Sequence, residues 1–230
     1  MTALHLADEG EAADLAAFLA RLLHYDRGAA VRLQAAGTAL AVFGRPPSFE
    51  VLAIRAARLA KPYENGLDVA LDVTVSAGEL LETVDEPAVT LTVPGAVTGP
   101  PWAGVLPPRG GWRPEDGLPA PDALRAMVAA GVAEFRSRTQ ELAPELRTRA
   151  ELDRIGREIW TRTVGDTRLP VRAVHAAQSL GFLRPAQGGQ ASGEAPLALV
   201  SSGPWLRLRT PYGSIAVRRA GLGALDVSVR

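Results

Sequence analysis

The sequence of 230 residues contains no cysteine, a single lysine and three histidines. Without cysteine, disulfide scaffolds, thiolate zinc sites and cysteine nucleophiles are all excluded. Three histidines leave little for a histidine-built metal site, so we expect neither a metal nor a cofactor. Aromatic residues make up only 5%, but hydrophobic residues together make up 47%, which is enough to bury a folded core.

The sequence also lacks a segment that could span a membrane. Its longest run without a charged residue covers 22 residues, 87–108, but contains six prolines, which a transmembrane helix does not tolerate. The acidic start of the sequence lacks the basic and apolar regions of a signal peptide. We therefore expect a cytoplasmic protein that has no membrane partner.

None of the common enzyme motifs is present. The patterns G-x-G-x-x-G, G-x-x-x-x-G-K-[ST], H-E-x-x-H and G-x-S-x-G are all absent. Asp68 and Asp72 share one face of an alternating strand and could act as a catalytic carboxylate pair or as a metal site, but a solvated strand face explains the same spacing better. We therefore favour a protein that is not an enzyme. An unrecognised hydrolase or transferase ranks third, behind the two binding functions given at the end of this subsection.

The first part of the sequence predicts an α+β unit. An apolar stripe with a period of about 3.6 residues predicts a first helix that buries Leu19 and Leu22. Alternating segments then predict an antiparallel meander, with strands at 31–35, 39–43, 49–59 and 67–75 and with turns at 36–37 and 45–47. This order of elements is similar to that of half a sliding-clamp domain, a likeness of topology that implies no function.

The second part predicts three helices followed by short strands. The helices cover about 122–142, 149–163 and 170–180, and the strands cover 197–200, 205–210 and 214–218. Within the middle strand, Trp205, Arg207 and Arg209 alternate with Leu206 and Leu208. An aromatic ring with two arginines on a solvent-exposed face of the strand can bind phosphate or an acidic protein surface. Arginine side chains that pack along their cross-strand neighbours explain the pattern equally well.

A stretch rich in proline and glycine divides the two parts, since 14 of the 28 residues at 94–121 are of these types. We predict a sheet domain at 1–93, a connecting loop at 94–121 and a helical domain at 122–230. Charge divides in a similar way, with a net charge of −7 for residues 1–145 and +7 for residues 146–230. The basic part could meet an acidic partner or pack on its own N-terminal part.

The connecting loop contains two tryptophans, in the segment GPPWAGVLPPRGGW at 99–112. One interpretation is a loop that docks a partner through Trp102, Arg109 and Trp112, because tryptophan is favoured in interfaces. The other, which we favour, is a belt that covers the sheet. This segment and VFGRPP at 42–47 also give the chain a resemblance to uncharacterised proteins of GC-rich actinobacteria, a resemblance that implies no activity.

The segment VRAVHAAQSLGFL at 171–183 resembles the recognition-helix end of bacterial winged-helix regulators. The resemblance implies that Arg172, His175 and Gln178 face DNA. It also implies that phosphate is contacted by residues of the wing, namely Arg207, Arg209 and Arg218. The helix that would act as the recognition helix departs from that pattern. It carries one arginine and is otherwise rich in alanine, whereas DNA-binding proteins usually make several phosphate contacts.

These observations lead to two functional hypotheses. The first is a non-enzymatic binding or adaptor protein that uses its basic, winged-helix-like C-terminal unit to bind an acidic protein. The alternative is a winged-helix regulator that binds DNA.

Overall fold

The computed structural model describes residues 2–63, 71–185 and 197–219. The helices in this part of the chain are α1 (Glu9–Tyr25), α2 (Ala77–Glu82), α3 (Pro121–Glu141), α4 (Arg149–Trp160) and α5 (Val171–Ser179). The strands are β1 (Ala3–His5), β2 (Ala30–Gly44), β3 (Leu52–Tyr63), β4 (Leu71–Ser76), β5 (Thr90–Thr92), β6 (Arg113–Glu115), β7 (Ala198–Ser202), β8 (Trp205–Thr210) and β9 (Gly213–Arg218). All their pairings are antiparallel, which confirms the predicted α+β class.

The N-terminal helix α1 forms where the apolar stripe predicts it. The side chain of Asp8 caps the helix by accepting a hydrogen bond from the backbone N–H of Glu11. The predicted burial of Leu19 and Leu22 is confirmed, since both are at most 1% exposed. Ser76 caps α2 and Thr148 caps α4 in the same way, by accepting hydrogen bonds from the backbone N–H groups of Glu79 and Glu151.

The described strands form one seven-stranded sheet in the order β4-β2-β3-β9-β8-β7-β6, and β1 pairs separately with β5. Strand β2 continues through residues 36–37, so the turn predicted there is wrong. Gly37 has a φ of +55° and the register shifts between Gly37 and Ala39, which makes this glycine the site of a bulge. Strand β3 begins only at Leu52, because Pro47–Phe49 form a short 3-10 turn before it. The first residues of the strand predicted at 67–75 lie outside the described residues.

Both parts of the chain contribute to this sheet. Strand β3 pairs with β9, with Ala53 opposite Ile215. On the helix side, the Phe18 ring of α1 stacks on Phe182 at 5.6 Å between ring centroids, and the Arg184 guanidinium lies 2.5 Å from the Asp14 carboxylate. The predicted boundaries at 93 and 122 therefore separate segments that are joined by backbone hydrogen bonds and packing, and independent folding of the two segments stays a prediction.

The C-terminal helices form a layer on one face of the sheet, where α5 packs on β9 and α3 and α4 pack on α5. Gly131 of α3 lets the Trp160 ring approach, since a Cβ at this position would lie 2.9 Å from the ring. Gly181 ends α5 with a φ of +78°, a conformation that favours glycine. The winged-helix resemblance is not confirmed, because β8 and β9 are interior strands, flanked by β7 and β3, rather than a free hairpin.

Candidate functional site

The sheet has two unlike faces. The helices cover one of them, and the other, which we call the outer face, carries a small apolar cluster of its own, formed by Phe43, Leu52, Ile54 and Ala216. Trp102 and Leu106 of the loop between β5 and β6 pack on this cluster. This packing favours the belt interpretation for the first tryptophan of the loop.

Hydrogen bonds hold the loop on the sheet at several points. A guanidinium N–H of Arg32 on β2 donates to the Ala103 carbonyl, and the Val97 N–H donates to the Thr74 carbonyl at 2.9 Å. Farther along, the Trp112 indole N–H donates to the Pro108 carbonyl at 3.0 Å, which folds this part of the loop back on itself. The loop is therefore an ordered cover rather than an extended linker.

Four of the predicted site residues lie together on the outer face of β8 and β9. Trp205 is opposite Arg218, Arg207 is opposite Ala216, and Arg209 is opposite Ser214. The alternation predicted for this strand is confirmed, because Leu206 and Leu208 are buried on the helix side. Trp112 joins the group from the loop, and we call these side chains the tryptophan–arginine surface: Trp112, Trp205, Arg207, Arg209 and Arg218.

Arg207 is at the centre of this surface and is half-buried. Its Nε donates to the Ser214 hydroxyl at 2.8 Å, and its guanidinium carbon lies 5.7 Å from the centre of the Trp112 ring. Burial, together with the nearby charge of Arg209, lowers the pKa of Arg207 to about 10. The guanidinium is still charged at neutral pH, but no carboxylate of the described residues forms an ion pair with it.

The positive charge of the tryptophan–arginine surface is not neutralised within the described part of the chain. No carboxylate there forms an ion pair with Arg207, Arg209 or Arg218, and the last two of these are exposed. Several other arginines of the described residues do form ion pairs; Arg154 on α4, for example, binds both Glu151 and Glu158. The tryptophan–arginine surface instead brings together three arginines that have no carboxylate partner among the described residues.

The other residues of the winged-helix resemblance lie on the helix side of the sheet, in α5. Arg172 is half-buried, with its guanidinium 3.7 Å from the Glu50 carboxylate. His175 lies between two rings, stacked on Trp160 at 4.3 Å and edge-on to Phe49 at 5.1 Å. Only Gln178 of the three is exposed. The structure thus does not bring these three residues together with Arg207, Arg209 and Arg218.

Arg109 of the loop is exposed, and its charge acts on Asp72 of β4. The pKa of Asp72 is lowered, first by its hydrogen bond from Arg32 and to a smaller extent by the charge of Arg109. Asp72 forms an ion pair with Arg32 at 2.7 Å, which agrees with an ordinary polar strand face. Asp68, which could form a carboxylate pair with Asp72 by its spacing in the sequence, lies outside the described residues.

A cluster of charges that the sequence did not reveal joins α1 to β3 on the helix side. The Arg55 guanidinium is buried and donates to the Glu11 carboxylate at 2.7 Å, with Asp14 at 3.5 Å. It also donates to the Tyr212 carbonyl at 3.2 Å. The guanidinium of Arg184 contacts Asp14 and stacks over the Tyr212 ring at 3.5 Å. Residues from both parts of the chain therefore share this network.

Two searches of the described residues gave negative results. At no place in these residues do three or more His, Asp or Glu side chains come close enough to hold a metal ion. Of the helices in the same residues, none combines the length and the apolar character needed to cross a membrane.

Comparison with known families divides the chain in two. Residues 107–222 match the family model described as "Domain of unknown function (DUF8185)", and residues 1–104 match the one described as "Domain of unknown function (DUF8010)". No curated protein and no solved structure matches the chain. Neither description refers to a source organism or a winged helix, so both of those resemblances stay predictions.

Proposed function

Since the chain belongs to the DUF8185 family, whose description names no activity, we propose its function from the outer face of the sheet: a binding module that recognises an acidic protein segment. The observation that carries the proposal is the lack of a counter-ion for Arg207, Arg209 and Arg218 within the described residues. A carboxylate-bearing partner would supply that counter-ion. The tryptophan–arginine surface is then the docking site.

The composition of this surface fits a protein partner. Tryptophan and arginine are the residues most enriched where binding energy concentrates in protein interfaces. The guanidinium group presents a planar fork that matches a carboxylate with two parallel hydrogen bonds. The half-buried environment of Arg207 strengthens such a pair, because the low local dielectric reduces screening by water. Arg209 and Arg218 flank it as exposed charges that speed encounter with an acidic chain.

Binding of DNA remains the alternative function, since the same arginines could contact phosphate. The packing of α5 favours the acidic protein instead. A recognition helix needs one free face to enter the major groove, whereas in α5 His175 is covered by Trp160 and Phe49 and Arg172 is drawn toward Glu50. Without a reading helix, duplex binding would be weak and indifferent to sequence.

The test measures binding of a fluorescent peptide rich in aspartate and glutamate, and separately of a fluorescent DNA duplex, by anisotropy over a range of salt concentrations. We expect the peptide to bind, with an affinity that falls as salt rises. The double variant Arg207→Gln/Arg209→Gln should weaken peptide binding at least tenfold, because the loss of one charge-assisted hydrogen bond lowers affinity by about that factor.

A matched control removes two charges from the helix side. Arg149→Gln/Arg157→Gln changes two exposed arginines of α4, and it should leave peptide binding unchanged. Equal loss in both double variants would show a general charge effect and overturn the proposal. Tight duplex binding that depends on sequence, with a salt slope that flattens by about 0.9 per lost phosphate contact in Arg207→Gln/Arg209→Gln, would support DNA binding in its place.

A further inference from the structure

A groove separates α3 from α5 on the helix side of the sheet, away from the tryptophan–arginine surface. Its volume is about 470 Å³, which is within the range of roughly 300–1,000 Å³ typical of small-molecule sites. The wall formed by α3 is apolar, and its side chains are those of Val128, Ala129, Val132 and Ala133. The polar side chains that line the groove are Arg136 of α3 and His175, Gln178 and Ser179 of α5.

His175 is held rigidly at this groove. Trp160 stacks on one side of its ring and Phe49 contacts it edge-on, which fixes the direction of the two ring nitrogens. Within the described residues neither nitrogen has a hydrogen-bond partner, and neither is among the fully buried unpaired atoms. The imidazole therefore keeps its hydrogen-bonding capacity for something that enters the groove.

The protonation state of His175 adds to this picture. Desolvation by burial lowers its pKa below 6.5, so the imidazole is neutral at pH 7 and presents one donor and one acceptor. The nearby amide of Gln178 and hydroxyl of Ser179 likewise have no partner for their side chains in the described part of the chain. These groups offer hydrogen bonds without adding charge.

Arg136 is the one charged residue among those that line the groove. Its side chain forms no ion pair or hydrogen bond within the described residues, unlike Arg138 two positions later, which binds Glu134 and Glu158. A single unpaired guanidinium beside an apolar wall selects a ligand with one anionic group and an apolar body. A cationic or purely apolar ligand would leave the guanidinium without a counter-ion.

We propose that the groove between α3 and α5 binds a small organic acid, with its carboxylate on Arg136, its apolar body on the alanine and valine side chains of α3, and a polar group at His175 and Gln178. This site is separate from the tryptophan–arginine surface, on which it does not depend. The two sites can therefore be tested, and can fail, independently.

The test uses the histidine ring signals in proton NMR spectra, which are few because the sequence contains three histidines. The probes are octanoate, phenylacetate and indole-3-acetate at millimolar concentrations, with 1-octanol and octylamine as neutral and cationic analogues of octanoate. We expect at least one acid to shift the His175 signals while those of His5 and His24 stay in place. Assignment comes from the single histidine-to-glutamine variants.

Two variants locate the binding. Ala133→Phe fills the groove from an exposed position and should abolish the shift, whereas Ala130→Phe, on an exposed part of α3 that does not line the groove, should preserve it. Arg136→Gln should weaken binding of the acid about tenfold, as expected for the loss of a charge-assisted hydrogen bond, with Arg149→Gln as its matched control.

The proposal is supported if the acid shifts His175, the amine does not, and Ala133→Phe removes the effect in a protein whose circular dichroism matches the unchanged chain. It is overturned if no acid shifts the His175 signals, if octylamine or 1-octanol shifts them as strongly as octanoate, or if Ala133→Phe retains the shift. Loss of binding in Ala130→Phe to the same degree would also contradict it.

Discussion

On the helix-covered face of the sheet, the buried guanidinium of Arg55 is paired with Glu11 and Asp14, whereas on the outer face the half-buried guanidinium of Arg207 has a hydroxyl and an indole ring for neighbours. Both arginines have lost part of their hydration, which is unfavourable for a charged group. The network around Arg55 compensates for that loss inside the protein. Around Arg207 the described chain offers no carboxylate that could do so.

Under the proposed function, the two faces have different tasks. Charge that is compensated within the chain contributes to joining α1, β3 and the segment that carries Arg184, and it leaves nothing for a partner to neutralise. Charge that is left uncompensated destabilises the isolated protein slightly and is relieved when an anion binds, a trade-off that is common at functional sites. The predictions below separate the two faces by stability and by binding.

One of the two largest effects should follow from Arg55→Met. This change removes the ion pair between Arg55 and the mostly buried carboxylate of Glu11. We therefore expect a loss of about 3 kcal/mol in the free energy of unfolding. Urea denaturation measures it. The control is Arg149→Met, at an ion pair outside this network whose guanidinium is 93% exposed, which should cost less than about 1 kcal/mol. Equal losses for the two variants would mean that the buried network has no special role.

Leu19→Ala provides the apolar reference for the same face. Leu19 is fully buried in the main core, and its truncation should cost about 2–5 kcal/mol, according to how far the surrounding side chains close the cavity. The measurement is again urea denaturation. A loss below about 1 kcal/mol would place α1 at the periphery of the fold rather than in its core.

The pH dependence of stability should reveal His175 on the helix side. Because burial lowers the pKa of His175 in the folded protein below 6.5, the unfolded chain binds a proton that the folded one does not once the pH falls below about 6.5. The stability contributed by the neutral ring is therefore present above that pH and is lost as the pH falls toward the folded pKa. Unfolding free energies at about pH 7.5 and about pH 5.5 should differ less in His175→Gln than in the unchanged protein; an equal difference would contradict this assignment.

The smallest effect on stability should come from Arg209→Gln on the outer face. Arg209 is exposed, has no ion-pair partner among the described residues and repels Arg207. The free energy of unfolding should change by less than about 0.5 kcal/mol, while binding of an acidic peptide weakens. A loss of stability comparable to that of Arg55→Met would show that Arg209 supports the fold, and would remove the contrast between the faces.

Local patterns in the sequence predict much of the fold. The apolar stripe of α1 and the alternation in β8 depend on neighbours within a few residues, and both are confirmed. The turn predicted at Gly37 was wrong because glycine is favoured both in turns and at β-bulges. The pairing of β3 with β9 has no local signal, since it joins segments about 160 residues apart.

The candidate site was predictable only in part, for the same reason. The face shared by Trp205, Arg207 and Arg209 follows from the period of a strand. The position of Trp112 beside Arg207, and the separation of both from His175, depend on how the loop and α5 pack on opposite faces of the sheet. Likewise, the groove between α3 and α5 arises from helix packing, which no spacing along one helix can indicate.

The most direct test of the contrast between the two faces follows the indole N–H signals of the four tryptophans in ¹H–¹⁵N NMR spectra during titration with the acidic peptide. Trp112 and Trp205 lie on the tryptophan–arginine surface, and Trp160 lies on the helix side against His175. If the uncompensated arginines form the docking site, the signals of Trp112 and Trp205 should shift while that of Trp160 stays in place. A shift of Trp160 alone, or no shift of any indole at saturating peptide, would contradict the account.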